Sequence, residues 1–249
     1  MANCQHDDWL YDSETGGHNS SAAVRLFNAK VDAVRKSTAN CPVQSSLDPS
    51  PVVFDKFDTC SADEVSKTIC SAESKTCELD PLPTDVLKKF LPELLPFVTD
   101  MCNASLQQGC LPLSQRRAIV TPRLKKDGMD TEDVKSYRPI SNLTFMSKTV
   151  ERLVCRQLVS FLEKNNLLPS HQSAYRRYHS TETAMLKIVS DLLLACDRGQ
   201  VTLVALLDLS AAFDTVDHEI LLDRLQLAFG IRGTAFKWIE SFVTGRTFV

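Results

Sequence analysis

Asp208 ends a run, Val201 to Leu207, that is almost wholly apolar. A short apolar run of that kind reads as a β-strand buried on both faces. It places an ionisable carboxylate at the strand's C-terminal tip. Such a carboxylate either serves the turn and caps the helix that follows, or holds a cation on a support that is already ordered. Two other groupings carry charge suited to phosphate. Lys125 and Lys126 open a Lys-Lys-Asp-Gly turn, and Arg138 follows in the next extended stretch. A guanidinium can bind phosphate oxygens in pairs and an ammonium supplies a point charge; the plain alternative is a solvated hairpin tip. Tyr175, Arg176, Arg177 and Tyr178 combine stacking faces with cations, as contacts to single-stranded nucleic acid do. Otherwise they are ordinary surface.

The elements that must position these groups are legible from hydrophobic spacing. After the stop signal Asp80-Pro81-Leu82-Pro83, Thr84 caps a helical pattern through Leu87, Phe90, Leu91, Leu94, Leu95 and Val98 that continues to Gly109. Pro92 and Pro96 interrupt it, which predicts a kink or two short helices. Ala118 to Pro122 reads as a strand, the lysine turn follows, and Val134 to Leu143 reads as a second extended segment. A helix is expected from about Lys148 to Lys164. Ser180 or Thr181 caps another, with a stripe of Met185, Ile188, Val189, Leu192 and Leu193, closed by Gly199. Asp217 caps a last helix, with Leu221, Leu222, Leu225, Ala228 and Phe229 on its apolar face, ending at Gly230.

The chain has 249 residues, 43% of them hydrophobic, enough for a core in one large domain or two small ones. A net charge of -3 with 24% charged residues excludes a wholly disordered or strongly basic chain. The charge is uneven: residues 1–100 hold 9 Lys+Arg and 16 Asp+Glu, and residues 101–249 hold 19 and 15. A polyanionic partner therefore suits only the second part. No apolar run approaches the roughly 18 residues of a membrane helix, and the polar, acidic start is unlike a signal peptide. Nine cysteines without a Cys-x-x-Cys pair point to reduced, intracellular thiols, with neither a disulfide framework nor a zinc site. No basic import cluster decides between nucleus and cytoplasm. Residues 1–50, rich in Ser, Asn and Asp, read as a loosely ordered leader with one amphipathic stretch from Ala22 to Val34.

The string from Leu206 through Asp208, Phe213, Asp214 and Asp217 to His218 resembles the first catalytic motif of reverse transcriptases of non-LTR (LINE-type) retrotransposons. Three further blocks follow the same family's order and spacing. Tyr137 to Leu143 with Ser147, Lys148 and Glu151 is similar to its fingers motif. Gln172 to Arg176 with His179 to Ala184 is similar to the next block. Trp238, Ser241, Phe242 and Arg246 match the segment after the palm helix. The likeness covers about residues 78–249 and is nearest to the CR1/L2-like group, to which the stretch from Leu79 to Thr84 also conforms.

That resemblance implies an α+β fold: fingers and an incomplete palm of a right-hand polymerase, preceded by a helical linker. The divisions are a leader at 1–50, a helical linker region at 51–115, and reverse transcriptase fingers with partial palm at 116–249. It implies nucleotidyl transfer to a primer 3′-hydroxyl, with two Mg²⁺ ions stabilising the attacking and leaving oxygens. Mg²⁺ prefers oxygen ligands; Asp208 and the Leu209 carbonyl are the implied ones, and Asp208 the implied catalytic residue. Phe213 would pack under the incoming sugar and exclude a 2′-hydroxyl, or be an ordinary core phenylalanine. Lys125, Lys126 and Arg138 would hold the triphosphate; Tyr175, Arg176 and Arg177 would contact the template. Asp217 is accounted for by its cap, and Asp214 and His218 are not expected in the site. The implied partners are an RNA template, a DNA primer and deoxynucleoside triphosphates, with no membrane.

The family's later Pro-Gln-Gly segment and Tyr/Phe-x-Asp-Asp hairpin have no counterpart before Val249, and neither do its thumb and endonuclease. The expectation is that this chain alone does not polymerise DNA, and that Val201 to Leu207, as an exposed apolar edge, promotes self-association. Two other readings stand beside the polymerase part: a non-catalytic nucleic-acid-binding fragment and an inert transposon remnant.

Overall fold

The structure, a computed structural model, describes residues 49–249 except 131, 132, 134, 135, 210, 211, 214 and 249, together with residues 29, 32 and 36. Most of the expected leader, most of its amphipathic stretch and the start of the second extended segment at Val134 lie outside the described residues. The described elements are α1 (Ala62–Cys70), α2 (Thr84–Lys89), α3 (Leu91–Gln108), a 3-10 turn (Leu113–Gln115), β1 (Arg117–Leu124), β2 (Tyr137–Leu143), α4 (Phe145–Lys164), α5 (Thr181–Asp197), α6 (His218–Leu227), α7 (Gly233–Val243) and β3 (Thr247–Phe248). They form a mixed helix-and-strand fold compatible with part of a polymerase domain. Residues up to Phe161 and from Ala211 onward make one compact unit, and Leu162–Ser210 a second.

The core of the first unit gathers segments far apart in the chain. α1 starts at a capping box, in which the Ser61 hydroxyl accepts from Glu64 N–H while the Glu64 carboxylate accepts from Ser61 N–H. It buries Val65 and Ile69 against the face of α3 that carries Cys102 and Leu106. The proline-rich pattern divides into two helices at Phe90, with Pro92 in the first turn of α3, where its missing N–H is harmless, but Pro96, expected to interrupt the pattern, lies inside the 18-residue α3. Thr84, expected as the cap, is instead the first helical residue. Pro83 occupies the cap position, and the Thr84 hydroxyl donates to Lys75 O at 3.0 Å. Trp238 of α7 is 2% exposed. It meets Phe57 edge-on and stacks on Phe242, and its Nε1–H donates to Ser105 Oγ at 3.0 Å, so its one polar atom is satisfied where it is buried. Burial pushes the Cys102 thiol up to about 12, which leaves it a small neutral hydrophobe. At Gly230 (φ +68°) a Cβ would lie 1.9 Å from Val52 O. Only glycine fits there, and Phe54 then bridges to Ile231.

The sheet has the order β2-β1-β3. β1 and β2 are antiparallel, with Ile119 opposite Asn142, Thr121 opposite Ile140, Pro122 opposite Pro139 and Arg123 opposite Arg138. Gly128 (φ +80°) lies in the connecting turn, as the Lys-Lys-Asp-Gly string predicts. Ala118 and Val120 are buried. Strand alternation therefore turns Ile119, Thr121, Arg123 and Lys125 to the outer face.

The second unit holds α5 on its Ser180 cap, as predicted, but none of α5's residues is buried. The largest departure concerns Val201 to Leu207. It is not a strand and not buried: Val201 is 99%, Leu203 96% and Leu207 91% exposed. A strand exists only by pairing its N–H and C=O groups with a neighbour, and the described pairings join only β1, β2 and β3. The apolar composition records a burial that these residues do not achieve by themselves.

Candidate functional site

Two cations face each other on the hairpin. Arg123 and Arg138 occupy opposite positions, and with Lys125, Lys126, Asp127, Leu124 and Ile140 they line a groove of about 400 Å³. Four of those seven side chains carry positive charge and one carries negative charge. Like charges directly opposite one another destabilise a strand pair, so this arrangement is a cost that a bound anion would relieve. Arg123 escapes the motif reading. Its signal was the two-residue spacing from Lys125 on a strand, which places both on one face.

Tyr175, Arg176 and Arg177 lie in the loop before α5. Arg176 is half-buried, and its Nη1 donates to Pro169 O at 3.1 Å and Gln172 O at 3.3 Å, so this side chain builds the loop. Arg177 lies over the Tyr178 ring, 4.9 Å from its centroid. Tyr175 (φ +59°) and Tyr178 (φ +63°) adopt the left-handed region, uncommon for bulky residues, and they are 82% and 86% exposed. The strained backbone presents both rings to solvent.

Asp208 and Leu209 are exposed and lie on the unpaired segment after Leu207 rather than at a strand tip. Among the described residues no group of three or more His, Cys, Asp or Glu lies together. Mg²⁺ demands a near-octahedral set of oxygen ligands, and one carboxylate with one carbonyl on an unanchored segment does not constitute it. Phe213, in the first unit, is 75% exposed, which sets aside the ordinary-core reading. Asp217 caps α6, its Oδ1 accepting from Ile220 N–H at 3.1 Å. Asp214 is outside the described residues.

Two matched residues have a packing role instead. Arg246 donates through Nε to Phe242 O at 2.7 Å and lies over that ring, 4.2 Å from its centroid. Burial lowers the Arg246 pKa and raises that of Glu151, while the opposite charge of each works against the other's shift. Among the described residues no helix is long and apolar enough to cross a membrane.

Residues 124–248 match the family described as reverse transcriptase (RNA-dependent DNA polymerase). Similar proteins include the probable RNA-directed DNA polymerase from transposon X-element of Drosophila melanogaster, 28% identical over 77% of this chain and 21% of its own length. The corresponding protein from transposon BS of the same species is 28% identical over 85% of this chain and 22% of its own. The RNA-directed DNA polymerase from its mobile element jockey is 28% identical over 83% and 22%. The chain thus spans about a fifth of the length of these curated relatives. With the matched region covering half the sequence and the relatives drawn from mobile elements, this chain belongs to the reverse transcriptase family, as a LINE-type member.

Proposed function

We propose that this chain is the fingers-side part of an RNA-directed DNA polymerase, whose hairpin groove holds the triphosphate of an incoming deoxynucleotide. The observation that carries this reading is the opposed pair Arg123 and Arg138 with Lys125 and Lys126 beside it. Planar guanidiniums facing one groove suit the paired oxygens of a polyphosphate. Phe213 is the wall against a 2′-hydroxyl. Tyr175 and Arg177 stack on and neutralise the template strand, and Arg176 sets the loop that displays them. Asp208 and Leu209 become magnesium ligands only where further strands order their segment and add carboxylates. The described residues do not assemble that ion site, and no chemical step is assigned to them. RNA template, DNA primer and deoxynucleoside triphosphates are the partners on this reading.

A second reading is favoured by the same donor set: the chain binds nucleic acid or nucleotide without catalysing transfer. The test of the groove is binding of a fluorescent deoxynucleoside triphosphate to the full chain. Arg138→Ala weakens it by about ten- to a hundredfold, since one hydrogen-bonded charge contributes about 1.5–3 kcal/mol. Unchanged affinity in Arg138→Ala and Arg123→Ala would overturn the assignment. Primer extension with Mg²⁺ that disappears in Asp208→Ala would overturn the non-catalytic reading.

A further inference from the structure

The inner face of α3 buries Leu91, Cys102 and Leu106 in the core. A second apolar row runs along its outer side, where Phe90, Leu94, Phe97 and Met101 follow at steps of four and three. Phe90 is 49% and Phe97 73% exposed, and Leu94 and Met101 are half-buried. Scattered apolar residues are normal on a surface, but two phenylalanines in register on one helix face form a patch, and patches mark contacts. Glu93 and Asp100, both exposed, border the row along one edge, and α3 holds no Lys or Arg. At the N-terminal end of the row the α2 charges Asp85 and Lys89 offset each other, and the Lys88 ammonium donates to Ala72 O.

We propose that this row is the seat of the chain's own basic amphipathic segment, residues 22–36, docked as a helix. The proposal is independent of the polymerase reading. Within residues 1–50 every Lys and Arg falls in this segment, as Arg25, Lys30, Arg35 and Lys36, against one acid there, Asp32. Ala29, Asp32 and Lys36 are helical and exposed, and steps of three and four put them on one helix face. The same periodicity places Val24, Phe27, Val31 and Val34 on the opposite face, with Lys30 at one edge and Arg35 at the other. Both apolar rows thus alternate steps of three and four, the spacing at which side chains of two helices interleave. A cation borders each edge of the segment, so one meets Glu93 and Asp100 whichever way the segment runs. Exposed ion pairs add little affinity, and their part here is to select this partner. Residues 37–48, rich in Ser and Asn, join the segment to the described chain, which is held at Ser50 by its N–H donating to Leu227 O at 2.7 Å. A stretch of that length reaches roughly 40 Å when extended, about the diameter of a unit of some 200 residues. The row on α3 is therefore within reach.

The test is hydrogen–deuterium exchange of the full chain, read by mass spectrometry over residues 22–36 and over α3 across a range of protein concentrations. Seating slows exchange in 22–36. Phe97→Ser with Phe90→Ser speeds it by about tenfold or more, as the loss of buried aromatic area requires. Exchange on the inner face of α3 is unchanged, because neither phenylalanine belongs to the core. Lys30→Glu with Arg35→Glu, which leaves α3 untouched, also speeds exchange in 22–36, and adding Glu93→Lys with Asp100→Lys restores protection. Residues 22–36 that exchange at the unprotected rate in the wild-type chain would overturn the proposal. So would protection indifferent to both sets of substitutions, or protection that grows with protein concentration, as a second copy on the row would give. Protection lost in Ile188→Ser, on the exposed face of α5, but kept in Phe97→Ser would overturn it as well.

Discussion

The Asp80 carboxylate accepts the backbone N–H of Phe145 at 2.7 Å with one oxygen and that of Cys77 at 2.7 Å with the other. A side chain from the linker thereby satisfies the first N–H of α4 across 65 positions of sequence. That fixes the loop carrying Lys75 against the helix carrying Lys148. Asp80→Ala leaves two partly buried donors without their acceptor. The expected loss is about 1–2 kcal/mol, read as a lower midpoint in urea denaturation. An unchanged midpoint would show that the linker is not anchored there.

Arg123 and Arg138 oppose each other, so relieving their repulsion and weakening anion binding are expected together. Arg123→Thr, which also suits a strand, raises stability by about 0.2–1 kcal/mol while lowering triphosphate affinity. Thermal melting and nucleotide titration on the same preparation check both signs. A variant that loses both stability and binding would contradict the account.

Burial raises the Glu151 pKa from its ordinary value of 4.5. A carboxyl raised in the folded state binds its proton more tightly there than in the unfolded chain. Its contribution is full below the unfolded value and fades as pH climbs through the raised folded value. Glu151→Gln is expected to flatten that part of the stability profile, measured by urea denaturation across mildly acidic pH. A profile unaltered by the substitution would refute it.

The exposed apolar stretch from Val201 to Leu209 is the expected route to self-association, since unpaired apolar segments of high strand propensity template pairing between chains. Leu203→Lys with Leu206→Lys should shift the protein toward monomer in sedimentation velocity. A wild-type chain that sediments as a monomer at high concentration would remove the premise.

The sequence disclosed elements wherever local chemistry decided them. Ser180 and Asp217 cap their helices, the Lys-Lys-Asp-Gly string turns the hairpin, and Pro92 marks the break between α2 and α3, all from side chains acting on neighbouring backbone. What stayed hidden depends on partners distant in the chain. Val201 to Leu207 has strand composition, but pairing is a property of two segments, and its own residues do not report the second. Thr84 has a capping side chain, yet Lys75 O takes its hydrogen bond. Arg138 was legible through its motif, whereas the spacing of Arg123 from Lys125 places it on the same face and only the register sets it opposite Arg138.

The proline pair of the hairpin has a consequence for how anything else can join this sheet. Lys125 N–H donates to Ser136 O at 2.8 Å, so by antiparallel alternation Arg123 and Arg138 form a hydrogen-bonded pair, and Pro122 and Pro139 a non-bonded one. At a non-bonded position the amides point away from the partner strand, toward the two flanks of the ribbon. Both prolines lack that donor. A strand added on either flank would lack a hydrogen bond at this level, so the broad face of the ribbon, where Arg123 and Arg138 stand opposite one another, is the surface the prolines leave unaltered.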